Sequence, residues 1–269
     1  DAVVGLYDDP QNQQQKPLLV DFAQNGNLAV CGSVVTGKSI FMQTMLYSLF
    51  QKYNPDQLQC YILDFSSHLM TPFESAPNTG GIVYDNQEDR LGKFMHLLEK
   101  MMEERKKLFE GGNYAQYVRA YGQKIPAILV VIDNFGGFRE KTRMKYDDII
   151  LKYVREGTGY GMYLAVTAAG YGMAEIPGRI ADNIRTPICL EQSDRFRYME
   201  ILRTTKLPVF PEAGIPGRGL AEVDGKMLEF QTALSVQADD DFGRGRILEQ
   251  FSKEKSAKWT GKKPLPIPE

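Results

Sequence analysis

Eight consecutive residues carry the clearest chemistry in the sequence. Gly32-Ser33-Val34-Val35-Thr36-Gly37-Lys38-Ser39 sets two glycines, a lysine and a hydroxyl at the spacing G-x-x-x-x-G-K-[ST]. In that pattern the glycines let consecutive backbone N–H groups turn inward around a phosphate, at the positive end of the helix that follows. Lys38 is then placed to reach β and γ phosphates, and the Ser39 hydroxyl to ligate Mg²⁺. The ion's second anchor is expected at the end of a neighbouring strand, where Asp133 closes the apolar run 127–132. Composition alone would produce the four fixed positions in about one chain in a hundred of this length. The residues therefore read as a site for ATP and Mg²⁺, with residues 32–39 as the phosphate cradle and Ser39 and Asp133 as the metal anchors.

Binding does not imply hydrolysis. Where many ATPases with this loop place a Glu after the strand-end Asp, to take a proton from the attacking water, the effect on rate is roughly 10² to 10⁴. Here that position is Asn134, and an amide orients water without accepting its proton. Asp133 and Asn134 are the candidate catalytic pair, and hydrolysis by this chain alone is expected to be slow or absent. Val34 and Val35 are β-branched where a tight anion-cradling turn favours small residues, so nucleotide affinity is expected to be reduced as well.

Other candidates are weaker. Asp64, at the end of a strand-like segment, serves equally well as a ligand of water or metal and as a loop cap. Arg179, Arg185, Arg195 and Arg218 are candidates for phosphate contact across a subunit boundary, against the plainer reading of surface ion pairs. His68 and His96 have no Cys or carboxylate partners at ligand spacing, so no metal site beyond Mg²⁺ is expected. With 32 basic and 34 acidic residues the net charge is −2, and the basic clusters at 141–145 and 244–246 lack interleaved aromatics, so no DNA contact is expected. Cys31, Cys60 and Cys189 read as buried thiols of a reducing compartment.

The elements that must position this site follow from periodicity. Short β-branched runs alternate with helical patterns, which predicts βαβ units and a largely parallel sheet. Residues 1–27 read as an edge strand or hairpin ending in the turn Asn25-Gly26-Asn27. Strands are expected at 28–31, 59–64, 127–132, 162–167 and 186–190, and helices at 38–52, 88–109, 143–155 and 194–203. The run at 127–132 has the unbroken character of a strand buried on both faces. Asp224-Gly225, between apolar runs at 219–223 and 227–234, predicts a closing hairpin, with a short helix near 242–251 and a frayed, Pro-rich tail at 257–269. The longest apolar run, 125–132, is far too short to span a bilayer and contains Pro126, and no membrane contact is expected. The chain begins Asp-Ala-Val-Val-Gly-Leu without a methionine, so it reads as a piece of a longer protein.

Taken with the phosphate loop, several further segments resemble the FtsK/SpoIIIE-type ATPases, and within them the EssC/EccC coupling ATPases of type VII secretion. These are Gly5-Leu-Tyr-Asp-Asp-Pro10, Tyr61-Ile-Leu-Asp64-Phe, Arg105 with Phe109, and Val131-Ile-Asp133-Asn134. The later half contributes Gly159-Tyr-Gly161-Met-Tyr-Leu-Ala-Val-Thr167, Ser193-Asp194-Arg195, Pro216-Gly217-Arg218-Gly219-Leu220 and Glu229-Phe-Gln231. The resemblance implies a RecA-like P-loop NTPase of α/β class, with a mostly parallel sheet, helices on both faces and a C-terminal β hairpin. It implies one ATPase domain over 1–256, made of an entry strand segment (1–27), a nucleotide-binding core (28–203) and a closing hairpin and helix (204–256). Active members of the family carry a loop rich in small residues, a Glu after the strand-end Asp and a Gln-Arg pair after the sensor strand. This chain has Val34-Val35, Asn134 and Ala168-Ala169 instead, which implies a degenerate, C-terminal ATPase module. The partners so implied are other ATPase modules of one parent chain, helical WXG100-type secretion substrates and further copies in a hexamer, at the cytoplasmic side of the membrane. An active ring motor is the alternative.

Overall fold

The computed structural model describes residues 1–269. Strands β1 (Ala2–Asp9) and β2 (Gln14–Val20) form an antiparallel hairpin, and the four-residue helix α1 (Phe22–Asn25), capped by Asp21, delivers the chain into β3 (Asn27–Cys31). Then follow α2 (Lys38–Lys52), β4 (Leu58–Asp64), β5 (Thr79–Tyr84), α3 (Glu88–Phe109), α4 (Tyr114–Tyr121) and β6 (Ala127–Asp133). Next come α5 (Phe135–Lys141), α6 (Asp147–Glu156), β7 (Met162–Ala168), α7 (Gly178–Ala181), β8 (Ile184–Leu190) and α8 (Arg195–Leu202). The hairpin β9 (Arg218–Val223) and β10 (Lys226–Thr232) and the helix α9 (Asp241–Lys258) complete the order.

All ten strands form one sheet, in the order β2-β1-β10-β9-β8-β3-β7-β6-β4-β5. From β8 to β5 every pairing is parallel, and β9, β10, β1 and β2 extend it as an antiparallel wing. In β6 the period-2 alternation sends Ile128, Val130 and Ile132 to one face and Leu129 and Val131 to the other. Both faces are covered. One core packs the sheet against α3, α5, α6 and α8, the other against α1, α2 and α9, which is why the central strands are apolar without interruption.

A buried asparagine fixes the strand that carries the phosphate loop. Asn27 Nδ2 donates to Val154 O at 3.2 Å and Asn183 O at 3.1 Å, and its Oδ1 accepts from Leu164 N at 2.8 Å. One side chain thus joins β3 to α6, β7 and the segment before β8. Arg105, also buried, donates to Tyr160 O at 2.8 Å and Pro126 O at 2.5 Å, tying α3 to the chain entering β6.

The structure departs from expectation at several points. The helix expected at 143–155 begins at Asp147, because Arg143 and Met144 adopt φ of 52° and 60° and form a turn. β5, α4 and α5 escaped the periodicity, β5 because Thr79-Gly80-Gly81 reads as loop and α4 because its face is only half-buried. The short helix near 242–251 runs on to Lys258. The tail is not frayed: Ile267 is buried, its N–H donates to Gly80 O at 3.1 Å, and Leu265 O accepts from Tyr61 Oη at 2.7 Å. The tail covers β5, the parallel edge of the sheet.

Candidate nucleotide-binding site

The phosphate loop leaves the C-terminal end of β3 and enters α2 at Lys38. Its base is pinned on both sides, with Gly32 N–H donating to Ala168 O at 3.1 Å at the end of β7 and Ser33 N–H to Glu191 O at 2.8 Å just beyond β8. Gly37 has φ 98°, and a Cβ there would fall 2.9 Å from Gly217 N, whose N–H donates to Thr36 O at 2.8 Å. The loop ahead of the closing hairpin therefore rests directly on the cradle, and only glycine permits it. Thr36 Oγ1 donates to Ser33 O at 2.8 Å inside the turn.

Lys38 Nζ donates to Gly32 O at 2.7 Å and Ser33 O at 2.8 Å. Burial pushes its proton affinity below that of a free lysine, opposed by the nearby Cys31, Glu175 and Asp133. Ser39 Oγ donates to Asp133 Oδ2 at 2.8 Å, and Thr167 Oγ1 donates to Asp133 Oδ1 at 2.6 Å. Burial raises the Asp133 carboxyl above the ordinary carboxylate range, against the pull of the Thr167 and Ser39 hydroxyls, with Asp64 adding to the rise. Asp133 and Asp64 are register partners on β6 and β4.

A hydroxyl and a carboxylate within one hydrogen bond, beside a lysine and a glycine-bearing turn at a helix start, form a donor set suited to a nucleotide with Mg²⁺. There the N–H groups of residues 34–39 and Lys38 would hold phosphate, and Ser39 and Asp133 the ion, whose charge would offset that of the β and γ oxygens. Val34 and Val35 are 85% and 86% exposed at the lip of the loop, and Val35 has φ 60°, a costly conformation for a β-branched residue.

Asn134 is placed differently from what a water-orienting residue needs. Its φ is 67°, its Oδ1 accepts from Gly137 N at 3.1 Å as the cap of α5, and its Nδ2 donates to Phe65 O at 3.0 Å. Both polar ends of the amide are engaged in holding backbone. Asp64 serves its loop, accepting from Ser66 N at 3.1 Å, His68 N at 3.3 Å and Met70 N at 3.3 Å. Arg218 is paired with Glu229 at 2.8 Å and Asp8 at 3.2 Å, Arg195 lies over the Phe210 ring, and Arg179 and Arg185 are exposed. His96 is exposed, the His68 ring packs at a tilt against Tyr84, and Arg244 of the second basic cluster is buried and paired with Asp241. All three cysteines are buried and unpaired.

Two site residues were not legible as such in the sequence. Thr167 stood out only as part of a strand motif, and its role of bridging Asp133 and Asn134 N–H, which it accepts at 2.7 Å, depends on β7 lying beside β6. Glu175, in the loop after β7, accepts from Ala169 N at 3.1 Å and carries no local pattern at all. A cavity of about 970 Å³ lies elsewhere, between the β9–β10 hairpin, the turn at residues 8–11 and residues 202–209.

Sheet order, strand-end loop and paired Ser39 and Asp133 define a RecA-like P-loop module. The chain belongs to the FtsK/SpoIIIE family, whose model matches residues 6–194. It is 30% identical over 272 residues to the ESX secretion system protein EccC of Geobacillus thermodenitrificans, covering 98% of this chain and 18% of that protein. It is 26% identical over 255 residues to the type VII secretion system protein EssC of Staphylococcus aureus, covering 93% and 16%. The chain thus spans under a fifth of the length of these relatives. Among solved structures it superposes on EssC (ATPases 2 and 3) from Geobacillus thermodenitrificans with a TM-score of 0.86 at 27% identity, over 99% of this chain and 50% of that one. The cytoplasmic domain of EssC gives 0.81 at 27% identity, over 100% and 51%. The neighbours hold several ATPase domains in one chain, and no helix here is long and apolar enough to cross a membrane.

Proposed function

We propose that the chain is a C-terminal, ATPase-like module of a type VII secretion coupling ATPase, at the cytoplasmic side of the membrane. It binds nucleotide weakly or not at all, hydrolyses little of it alone, and contributes to the recognition and export of WXG100-type substrates beside the other ATPase modules of its parent chain, as part of a hexamer. The observation that carries this reading is Asn134, whose amide is spent on Gly137 N and Phe65 O directly after the metal-anchoring Asp133. Without a carboxylate there, the arrangement of Lys38, Ser39 and Asp133 supports phosphate and Mg²⁺ contact but not proton removal from water. Ala168-Ala169 at the end of β7 and the exposed Val34-Val35 lip agree with it.

Thermal unfolding tests the nucleotide half of the proposal. Millimolar MgATP is expected to raise the melting temperature by about 1 °C or less. A rise of several degrees that Lys38→Ala removes would show a competent site instead. For the recognition half, immobilised chain is expected to retain a purified WXG100-type substrate and to lose it when the substrate's C-terminal tail is deleted, whereas passage of the intact substrate in the unbound fraction would count against it. The alternative of an active ring motor draws on the intact Ser39–Asp133 hydrogen bond, which an abandoned site has no need to keep.

A further inference from the structure

The loop between β7 and α7 brings a carboxylate into the phosphate crevice. Glu175 Oε2 accepts the Ala169 N–H at 3.1 Å, the other end of the same peptide group whose Ala168 O accepts the Gly32 N–H at 3.1 Å. The carboxylate therefore sits at the tip of β7, between β3, which delivers Lys38, and β6, which delivers Asp133. Its other side rests on Gly136, where a Cβ would fall 2.6 to 2.8 Å from the carboxylate atoms, so any larger residue would expel it.

The loop that carries it is held firmly. Arg139 is 2% exposed, and its Nη1 donates to Met173 O and, at 3.2 Å, to Glu175 O. Its Nε and Nη2 donate to the Asp147 carboxylate at 3.0 and 2.8 Å. A buried guanidinium bound to two loop carbonyls is a fixed clamp. The crevice's other carboxylates are consumed, Asp133 by two hydroxyls and Asp64 by three backbone N–H groups, whereas Glu175 has one backbone donor. Its field reaches the loop lysine, since it helps to offset the fall that burial imposes on the Lys38 ammonium.

We propose that Glu175 is an intramolecular counter-anion of the phosphate loop, a fixed negative charge that neutralises part of the field of Lys38 and repels the terminal phosphates of a nucleotide. This rests on the reading of weak nucleotide binding above, and gives that weakness a specific residue. An anion site built from N–H groups and one lysine loses affinity when a carboxylate shares its low-dielectric crevice.

Calorimetric titration of the purified chain with MgATP, at low and at 0.5 M KCl, tests the proposal. Glu175→Gln keeps the acceptor for Ala169 N–H and removes only the charge. It is expected to bind MgATP about tenfold more tightly than the unaltered chain, with the gain shrinking at high salt and vanishing in Glu175→Gln/Lys38→Ala. Glu175→Ala is a second route to the same loss of charge and is expected to tighten binding likewise, so the result does not hang on one variant folding well. Equal or weaker binding by both variants would overturn the counter-anion while leaving weak binding in place. Submicromolar binding by the unaltered chain would overturn the underlying reading itself.

Discussion

At the scale of single residues, Asp133 shows what the site costs the fold. Its carboxylate is 1% exposed, and two hydroxyl donors do not repay its burial, so its folded pKa lies above the unfolded value. A raised acid contributes stability that is complete below the unfolded pKa and is lost as pH rises through the folded one. The charge therefore destabilises the ligand-free protein at neutral pH. Asp133→Asn can still accept from Thr167 and can donate to Ser39, so it is expected to raise stability by about 1 kcal/mol at pH 7 without Mg²⁺. Denaturant melts at pH 7 and pH 4 check this, since the advantage should fade on acidification as the carboxyl of the unaltered chain protonates. A less stable Asp133→Asn at pH 7 would mean that the two hydroxyls do compensate the charge.

At the scale of elements, the sheet positions the phosphate loop through one side chain that no motif announces. Asn27 satisfies three backbone groups, from α6, β7 and the turn before β8, and Asn27→Ala would leave those groups without their partner. A loss of about 3 kcal/mol in chemical unfolding is expected. A loss below about 1 kcal/mol would show that water or neighbouring groups replace it. The same element marks the boundary of what sequence reveals. The long α3, the buried run of β6 and the Asp224-Gly225 hairpin were legible because periodicity and turn chemistry are local. So was the phosphate loop, whose residues are contiguous. Asn27, Thr167 and Glu175 act only after β7 has been inserted between β3 and β6, a non-local arrangement that no window of residues encodes. Asn134 was legible in identity but not in use, because its cap on α5 requires the αL turn that the structure shows.

For the whole molecule, the six parallel strands carry the P-loop, and the antiparallel wing extends the sheet and packs with α2 and α9 in the second core. The final residues close the far edge, with Ile267 buried against Gly81 and Tyr61 anchored on Leu265 O. Removing residues 259–269 is expected to lower stability by about 2–3 kcal/mol, from the buried Ile267 and its lost hydrogen bonds. Urea unfolding of the shortened chain measures it, and an unchanged midpoint would show that the edge needs no cover. As a unit, the site is proposed to be a phosphate loop with Ser39 and Asp133 placed to hold the ion but without a base for water. It is tested most directly by phosphate release from MgATP, comparing the purified chain with its Lys38→Ala variant. The two are expected to be indistinguishable from each other and close to the rate in buffer. Steady turnover by the unaltered chain that Lys38→Ala abolishes would contradict it.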